Sequence, residues 1–376
     1  MRKVAFILNP ISGRGEKKEI LECIDGMLGK YPDCDASFYT TKGVGDATVA
    51  ASNFAAEGYD TVVAIGGDGT VNEVAKGLVG TACRLAIIPV GSGNGLARHL
   101  GIPMGCTGAV YTVFEGRPQL IDAGKINDEY FFCTAGVGFD AVVGERFNSS
   151  STRGLASYME HCAKEYVKYE PEEYEIDLLG AKFKQKAFLI TFANSSQWGN
   201  NVYIAPDANI SDGMMDVVIW RSSPMVTMPL ITAELFLRKI KYSEFVDTYR
   251  CKEVVIRRKG GGVIQFDGES MEMGEEIRVS VQHNALEVLV PEQSKKFFQL
   301  LETMPQQLRE MLPQQFWDLL GEQLKELSPQ QLRERVPQQL REHLKELSPQ
   351  QLKERVPQQL KGHLKDIETK FKDMVK

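Results

Sequence analysis

The run Thr61-Val62-Val63-Ala64-Ile65-Gly66-Gly67-Asp68-Gly69-Thr70-Val71-Asn72 decides the fold. Its first five residues are apolar or β-branched and read as a short buried strand. The glycines stop that strand, and Val71–Leu78 resumes at helical spacing, so a strand runs directly into a helix. The same alternation spreads outward from it. Val4–Leu8 reads as a strand ending at Asn9-Pro10, Glu16–Leu28 as a helix and Ala36–Thr40 as a strand. Asp46–Ala56 reads as a helix of small residues, and Leu85–Val90 as a strand halted by Gly91-Ser92-Gly93. Strands alternating with helices of this length predict a parallel sheet with helices on its faces. Ligands of such sheets bind at the carboxyl ends of the strands.

Three of the four strands enter Gly- or Ser-containing turns at that end. Glycines let a backbone approach a phosphate closely, and a helix N-terminus offers unpaired N–H donors. Gly66, Gly67, Gly69 and Thr70 form one such cradle. Asp68 within it could organise a metal–water network near phosphates, or cap the helix. Asn9-Pro10-Ile11-Ser12-Gly13 makes a second cradle and Gly91-Ser92-Gly93-Asn94 a third. No GxxxxGK[ST] occurs, which excludes a Walker-A enzyme. The first loop also lacks the GxGxxG pattern of dinucleotide folds.

From Pro118 the texture changes. Leu120–Ile126, Tyr130–Ala135, Tyr174–Leu179, Ala187–Ala193, Met215–Trp220, Glu253–Arg258, Val263–Phe266, Ile277–Gln282 and Leu286–Val290 read as strands. Many alternate polar with apolar, as half-buried antiparallel strands do. Ser151–Lys168 and Pro224–Lys239 interrupt them as helices. The expected domains are 1–117, an α/β parallel-sheet nucleotide-binding domain; 118–297, an antiparallel β-sandwich; and 298–376, a helical tail. A cleft between the first two is the natural place for a site. In the tail, Glu326–Lys345 recurs as Glu346–Lys365. Leu332, Val336, Leu340, Leu344 and Leu347 make one apolar stripe, with Pro337 and Pro357 interrupting the helix. That stripe suits either an anchor on a membrane surface or packing against protein.

The 376 residues carry 44 Lys+Arg against 50 Asp+Glu. A net charge of −6 argues against a nucleic-acid-binding chain. Seven widely spaced Cys without a CxxC pair read as free thiols in a reducing compartment. No secretory leader or spanning segment is legible, so the expectation is a cytoplasmic protein, at most peripheral on the inner membrane face. The five His are scattered and read as surface or satisfied core residues. Nothing in the sequence fixes self-association, and a homo-oligomer stays open.

Asn9-Pro-Ile-Ser-Gly13, Thr41 with Gly45-Asp46-Ala47, Gly66-Gly-Asp-Gly-Thr-Val-Asn72 and Gly91-Ser-Gly-Asn94 occur in an order and spacing that resemble the diacylglycerol kinase catalytic-domain family. The resemblance covers about residues 1–295. It implies an ATP- and Mg2+-dependent kinase that phosphorylates a hydroxyl of diacylglycerol or a related membrane lipid. Asn9, Pro10, Ile11, Ser12, Gly13, Thr41, Gly66, Gly67, Asp68, Gly69, Thr70, Val71, Asn72 and Ser92 then look like ATP-contacting positions. Phe266-Asp267-Gly268-Glu269 is similar to the family's Asp-Gly-Glu, which makes Glu269 the implied general base, with Asp68 as its catalytic companion. Ser211-Asp212-Gly213-Met214 resembles the family's Asp-Gly metal loop, with Asn209, Asp212 and Met214 at ligand positions and main-chain carbonyls serving where the side chain cannot. Both Asp-Gly pairs also read as hairpin turns.

One departure stands out. Bacterial members of the family usually read Asn-Asp-Phe-Ala-Arg where this chain has Asn94-Gly95-Leu96-Ala97-Arg98, closer to sphingosine kinases. Sphingoid-base or ceramide phosphorylation, an NAD kinase-like activity and a non-catalytic binding module are the competing expectations.

Overall fold

The computed structural model describes residues 2–13, 17–149 and 168–292. The expected helix over 151–168, apart from Lys168, and the whole helical-repeat tail lie outside the described residues.

Four strands, β1 (Arg2–Leu8), β2 (Cys34–Thr40), β3 (Thr61–Gly66) and β4 (Arg84–Pro89), pair in parallel in the order β2-β1-β3-β4. Their helices are α1 (Lys17–Leu28), α2 (Asp46–Ala56), α3 (Asp68–Leu78), the short α4 (Gly95–His99) and α5 (Cys106–Glu115). β3 is buried at every residue, as a continuous apolar strand in a sheet covered on both faces should be. Helices α2 and α3 meet through small residues. A Cβ on Gly77 would lie 2.5 Å from the Thr48 carbonyl oxygen and 2.8 Å from Ala51 Cβ, so only glycine fits there.

The remaining chain is mostly antiparallel. It comprises β5 (Arg117–Ile126), β6 (Glu129–Phe131), β7 (Thr134–Gly138), α6 (Phe139–Ser149), β8 (Glu172–Leu178), β9 (Ala181–Ala193) and β10 (Met215–Arg221). After these come α7 (Met228–Phe236), β11 (Val246–Cys251), β12 (Glu253–Arg258), β13 (Gly262–Phe266), β14 (Glu269–Met273) and β15 (Glu276–Val290). The two apolar runs expected at 277–282 and 286–290 are therefore one strand. Its ladder with β5 slips register between Gln282 and Leu286. Conversely, the single strand expected over 130–135 is two, broken at Phe132-Cys133. The expected helix over 224–239 contracts to α7, flanked by one-turn 3-10 segments at Met225–Thr227 and Ile240–Tyr242.

β15 is the seam of the molecule. Its first half pairs with β12, and Val288 pairs in parallel with Leu85 of β4. Leu286, Val288, Leu289 and Val290 belong to the core of the parallel sheet, whereas Ile277 and Val279 belong to the antiparallel core. β5 divides likewise, with Ile121 and Ala123 in the first core and Ile126 in the second.

Candidate functional site

The site grows from four loops at the carboxyl edge of the parallel sheet. Asn9 folds its own turn by accepting the Ile11 amide on Oδ1 at 3.0 Å, and it donates Nδ2 to the Thr70 hydroxyl at 2.9 Å. The first loop is thus tied to the 66–70 loop. Gly13, at φ +76°, approaches Val90: a Cβ there would stand 3.1 Å from the Val90 carbonyl oxygen. Backbones also meet between the second and third loops, where a Cβ on Gly91 would lie 2.6 Å from Gly67 Cα. These glycines are fixed by close approach and leave the loop amides unobstructed by side chains. Pro10 and Ile11 are solvent-exposed, as is Ser92, while Thr41 is buried and donates its amide to Leu8 O at 2.9 Å.

Asp68 joins two loops from its place in the first turn of α3. Its Oδ2 accepts the Asn94 amide at 2.8 Å and its Oδ1 the Gly95 amide at 2.7 Å. Burial pushes this carboxyl up to about 6, against the pull of those amides, with the Asp267 charge adding to the rise. Asn94, at φ 51°, closes its own loop by bonding both the amide and the carbonyl of Gly91. Val71 is buried in the core of the parallel sheet. Asn72 points away from the loops. Its Nδ2 donates to Tyr130 O at 3.0 Å and to Asp267 Oδ2 at 2.9 Å.

Asp267 explains why the run at 130–135 breaks. Its carboxylate accepts the amides of Phe132 (2.7 Å), Cys133 (2.8 Å) and Thr134 (3.0 Å), besides Asn72. Three successive amides turned toward one carboxylate cannot also serve a neighbouring strand. Asp267 and Gly268 both adopt positive φ (47° and 87°), the conformation of a two-residue hairpin turn, so β13 reverses into β14 there. The hairpin and the implied catalytic motif are the same object. It delivers Glu269 to the 66–70 loop, where a Cβ on Gly69 would collide with Glu269 Oε1. Desolvation raises the Glu269 carboxyl from its ordinary value. The Glu73 charge adds to this and Lys76 opposes it.

Glu73 was not singled out from the sequence. Its two oxygens accept the Gly45 amide (2.9 Å) and the Ala47 amide (3.2 Å) at the start of α2. A carboxylate at a helix N-terminus satisfies donors that otherwise lack partners and complements the helix dipole. This bond fastens the Thr41–Ala47 segment to α3. No local signal marks it: Glu73 is the only acid on α3 after Asp68, but the amides it serves belong to another helix.

Gly136 to Gly138 close β7, and Phe139 and Asp140 open α6. Asp140 is buried beside Gln265, and burial pushes its carboxyl up to about 7. His99 bonds the Ser196 hydroxyl and amide through Nδ1, and burial pushes the ring down to about 4. His283 Nδ1 lies 2.7 Å from Asp122 Oδ1. The six described cysteines are free thiols.

The 209–214 loop keeps different company from Glu269. Ser211 Oγ donates to Leu120 O at 2.7 Å, and the Gly213 amide to the fully buried Asp122 at 2.6 Å. Asn209 Oδ1 already accepts the Ser211 amide, and Asp212 Oδ1 the Met214 amide. Asp212 Oδ2 is paired with the Arg250 guanidinium, which also reaches Asp216 at 3.7 Å. Mg2+ needs a near-octahedral shell of oxygens. Here the one carboxylate among the three expected positions is spent on a cation already present, which leaves the main-chain carbonyls as the oxygens the loop could offer a divalent ion. Among the described residues no cluster of three His, Cys, Asp or Glu could hold a metal. No described helix is long and apolar enough to cross a membrane.

Comparison with known proteins points the same way as the loops. Residues 3–126 match the family described as the diacylglycerol kinase catalytic domain, and residues 133–290 match the YegS C-terminal NAD kinase beta sandwich-like domain. The chain is 34% identical to a diacylglycerol kinase of Bacillus subtilis over 232 residues, which is 59% of this chain and 75% of that protein. It is 29% identical to one of Mycobacterium tuberculosis over 266 residues, covering 69% and 86%. A crystal structure of a diacylglycerol kinase from Bacillus anthracis shares the fold, with TM-score 0.62 at 22% identity over 77% of this chain and 97% of that one. With two consecutive domains matched and a relative above 30% identity covered over three quarters of its length, the chain belongs to the diacylglycerol kinase family.

Proposed function

We propose that the protein is an ATP- and Mg2+-dependent lipid kinase that transfers the γ-phosphate to a hydroxyl of diacylglycerol or a closely related lipid. One observation carries this reading: Glu269 Oε1 is seated on Gly69, at the mouth of a glycine cradle that presents backbone amides. A carboxylate with a raised pKa beside a phosphate cradle is the pairing that phosphoryl transfer to an alcohol needs.

In this reading the amides at the start of α3 and the 9–13 loop hold the nucleotide phosphates, with the Ser92 hydroxyl at their rim. The nucleotide's Mg2+ supplies charge neutralisation on the phosphate oxygens when bound. Asp68 is a positioning residue: through the Asn94 and Gly95 amides it holds the third loop against the second. Asp267 likewise fixes the hairpin that carries Glu269. Glu269 takes the proton of the acceptor hydroxyl as the hydroxyl oxygen bonds to the γ-phosphorus, the bond from that phosphorus to the β–γ bridging oxygen breaks, and ADP leaves. The match to the diacylglycerol kinase catalytic domain supports a lipid acceptor, and Gly95 keeps sphingoid lipids within the candidate range.

The test is transfer of labelled γ-phosphate from ATP with Mg2+ to diacylglycerol, monoacylglycerol, sphingoid base, ceramide and NAD in mixed micelles. A labelled lipid that disappears in Glu269→Gln supports the proposal. Label in NAD alone would assign the chain to small-molecule phosphorylation. No label in any acceptor, from folded protein, would favour a binding module.

A further inference from the structure

Helix α7 has the composition of a buried helix and the position of a surface one. Its sequence, Met228-Pro229-Leu230-Ile231-Thr232-Ala233-Glu234-Leu235-Phe236, contains one charged residue. A helix apolar on nearly all sides belongs in a core or in lipid. Yet only Ile231 and Leu235 are buried on it. On the opposite side Leu230 is 61% exposed, and Val226 before it and Leu237 after it are 84% and 65% exposed. Spacings of four and seven put these three on one face of a helical path. Tyr242, 74% exposed, continues the ledge through the following 3-10 turn.

Charge selects the occupant. The chain is acidic overall, but Arg238, Lys239 and Lys241 follow directly on Leu237. Arg238 lies over the Tyr203 ring and bonds its hydroxyl, and Lys241 pairs with Asp207. Lys239 is exposed at the surface. Glu234, the single acid of the helix, buries its Oε2. Apolar side chains standing out beside cations, with a tyrosine at the edge, are the features of an element lying in the headgroup layer of an anionic bilayer. We infer that the Val226–Tyr242 ledge is a membrane-docking surface for anionic lipid. It acts as an interfacial contact of the catalytic body itself, separate from anything the tail does. The link from docking to lipid turnover rests on the kinase reading above; the docking itself does not.

The experiment uses the full chain and sedimentation with vesicles of phosphatidylcholine, with and without phosphatidylglycerol. The wild type should sediment with the mixed vesicles and far less with phosphatidylcholine alone. Leu230→Glu with Leu237→Glu should lower partitioning by about tenfold or more, since each replaces an inserting side chain by a charge repelled at an anionic surface. Lys239→Glu should give a smaller loss that disappears at high salt. A thermal melt of each variant confirms folding, because the replaced side chains are exposed. Turnover of a short-chain, water-dissolved diacylglycerol should stay at the wild-type level while turnover of vesicle-embedded substrate falls. If neither substrate is phosphorylated, the kinase reading fails and the sedimentation result still decides docking. Absence of wild-type binding, or binding by the double variant equal to the wild type, overturns the inference. So would sedimentation velocity showing that the double variant converts a dimer to a monomer with vesicle binding unchanged, which would assign the ledge to a second copy of the chain.

Discussion

Glu269 Oε1 occupies the space that a side chain on Gly69 would need, so the residue with the implied base role and the phosphate-type loop touch through a missing Cβ. The first prediction follows from the softness of that contact. In Gly69→Ala the obstacle is the far end of a flexible side chain, which can swing away. The melting temperature should change little, while kcat falls by about 10²-fold or more as the carboxylate leaves its place. KM for ATP should move less than kcat. Turnover and melting curves on one preparation decide it, and wild-type kcat in the alanine variant would remove the contact from the mechanism.

The pH dependence has a defined sign. As the proposed base, Glu269 must be deprotonated to accept a proton, and partial desolvation together with the Glu73 charge raises its carboxyl. Activity is therefore lost as pH falls through that raised value, so the acid limb is displaced upward from that of an unperturbed glutamate. Removing the Glu73 charge should move the limb down, and removing the Lys76 charge should move it up. The check is kcat/KM against pH for the wild type, Glu73→Gln and Lys76→Met. A limb that stays put while only the plateau drops would make Glu73 a purely structural cap of α2.

Gly95 has a steric reason to be glycine. A Cβ there would lie 2.7 Å from Cys133 Sγ and 3.3 Å from the Trp198 carbonyl oxygen. Cys133 is itself buried, with Sγ bonded to the Ser195 hydroxyl and the Gln197 carbonyl. Gly95→Asp, which restores the residue common in bacterial relatives, should cost about 1–3 kcal/mol through overpacking. Cys133→Ala should recover part of that loss. A double-mutant cycle in denaturant measures the coupling, which should exceed about 0.5 kcal/mol for residues in contact. Simple additivity would mean the loop yields elsewhere.

Arg250 makes a prediction about metal. Since its guanidinium already neutralises Asp212, the melting temperature without nucleotide should be the same in Mg2+ as in a chelator. Arg250→Ala exposes Asp212 and Asp216 to each other, and that variant should gain stability when Mg2+ is added. A wild-type protein that loses several degrees in chelator would show that the loop takes an ion despite Arg250.

Much of this architecture is legible in the sequence because strands and helices differ in period. Asp46–Ala56 and Glu253–Arg258 have the bounds their residues predict. What escapes is set by tertiary contacts. The break at Phe132-Cys133 exists because Asp267, more than a hundred residues away, captures those amides. β14, Glu269-Ser270-Met271-Glu272-Met273, is an edge strand with one partner, so neither apolar alternation nor β-branched content marks it. Asn72 falls within the Gly66–Asn72 motif by position, yet it turns inward and gives Asp267 a fourth donor. Glu73 caps a helix from a neighbouring helix, a relation that no local pattern encodes.

The pairing of Val288 with Leu85 also sets an order of events during synthesis. β4 leaves the ribosome about two hundred residues before its neighbour is made, and Leu286 to Val290 are missing from the first core for all that time. A nascent or truncated chain ending soon after β5 therefore carries an open strand edge beside an unfinished core. Such an edge is a template for wrong pairing, with another copy or with a later hairpin of its own chain. For this chain the parallel-sheet half is not a module that can be grafted elsewhere: it becomes a finished object only when the last described strand arrives.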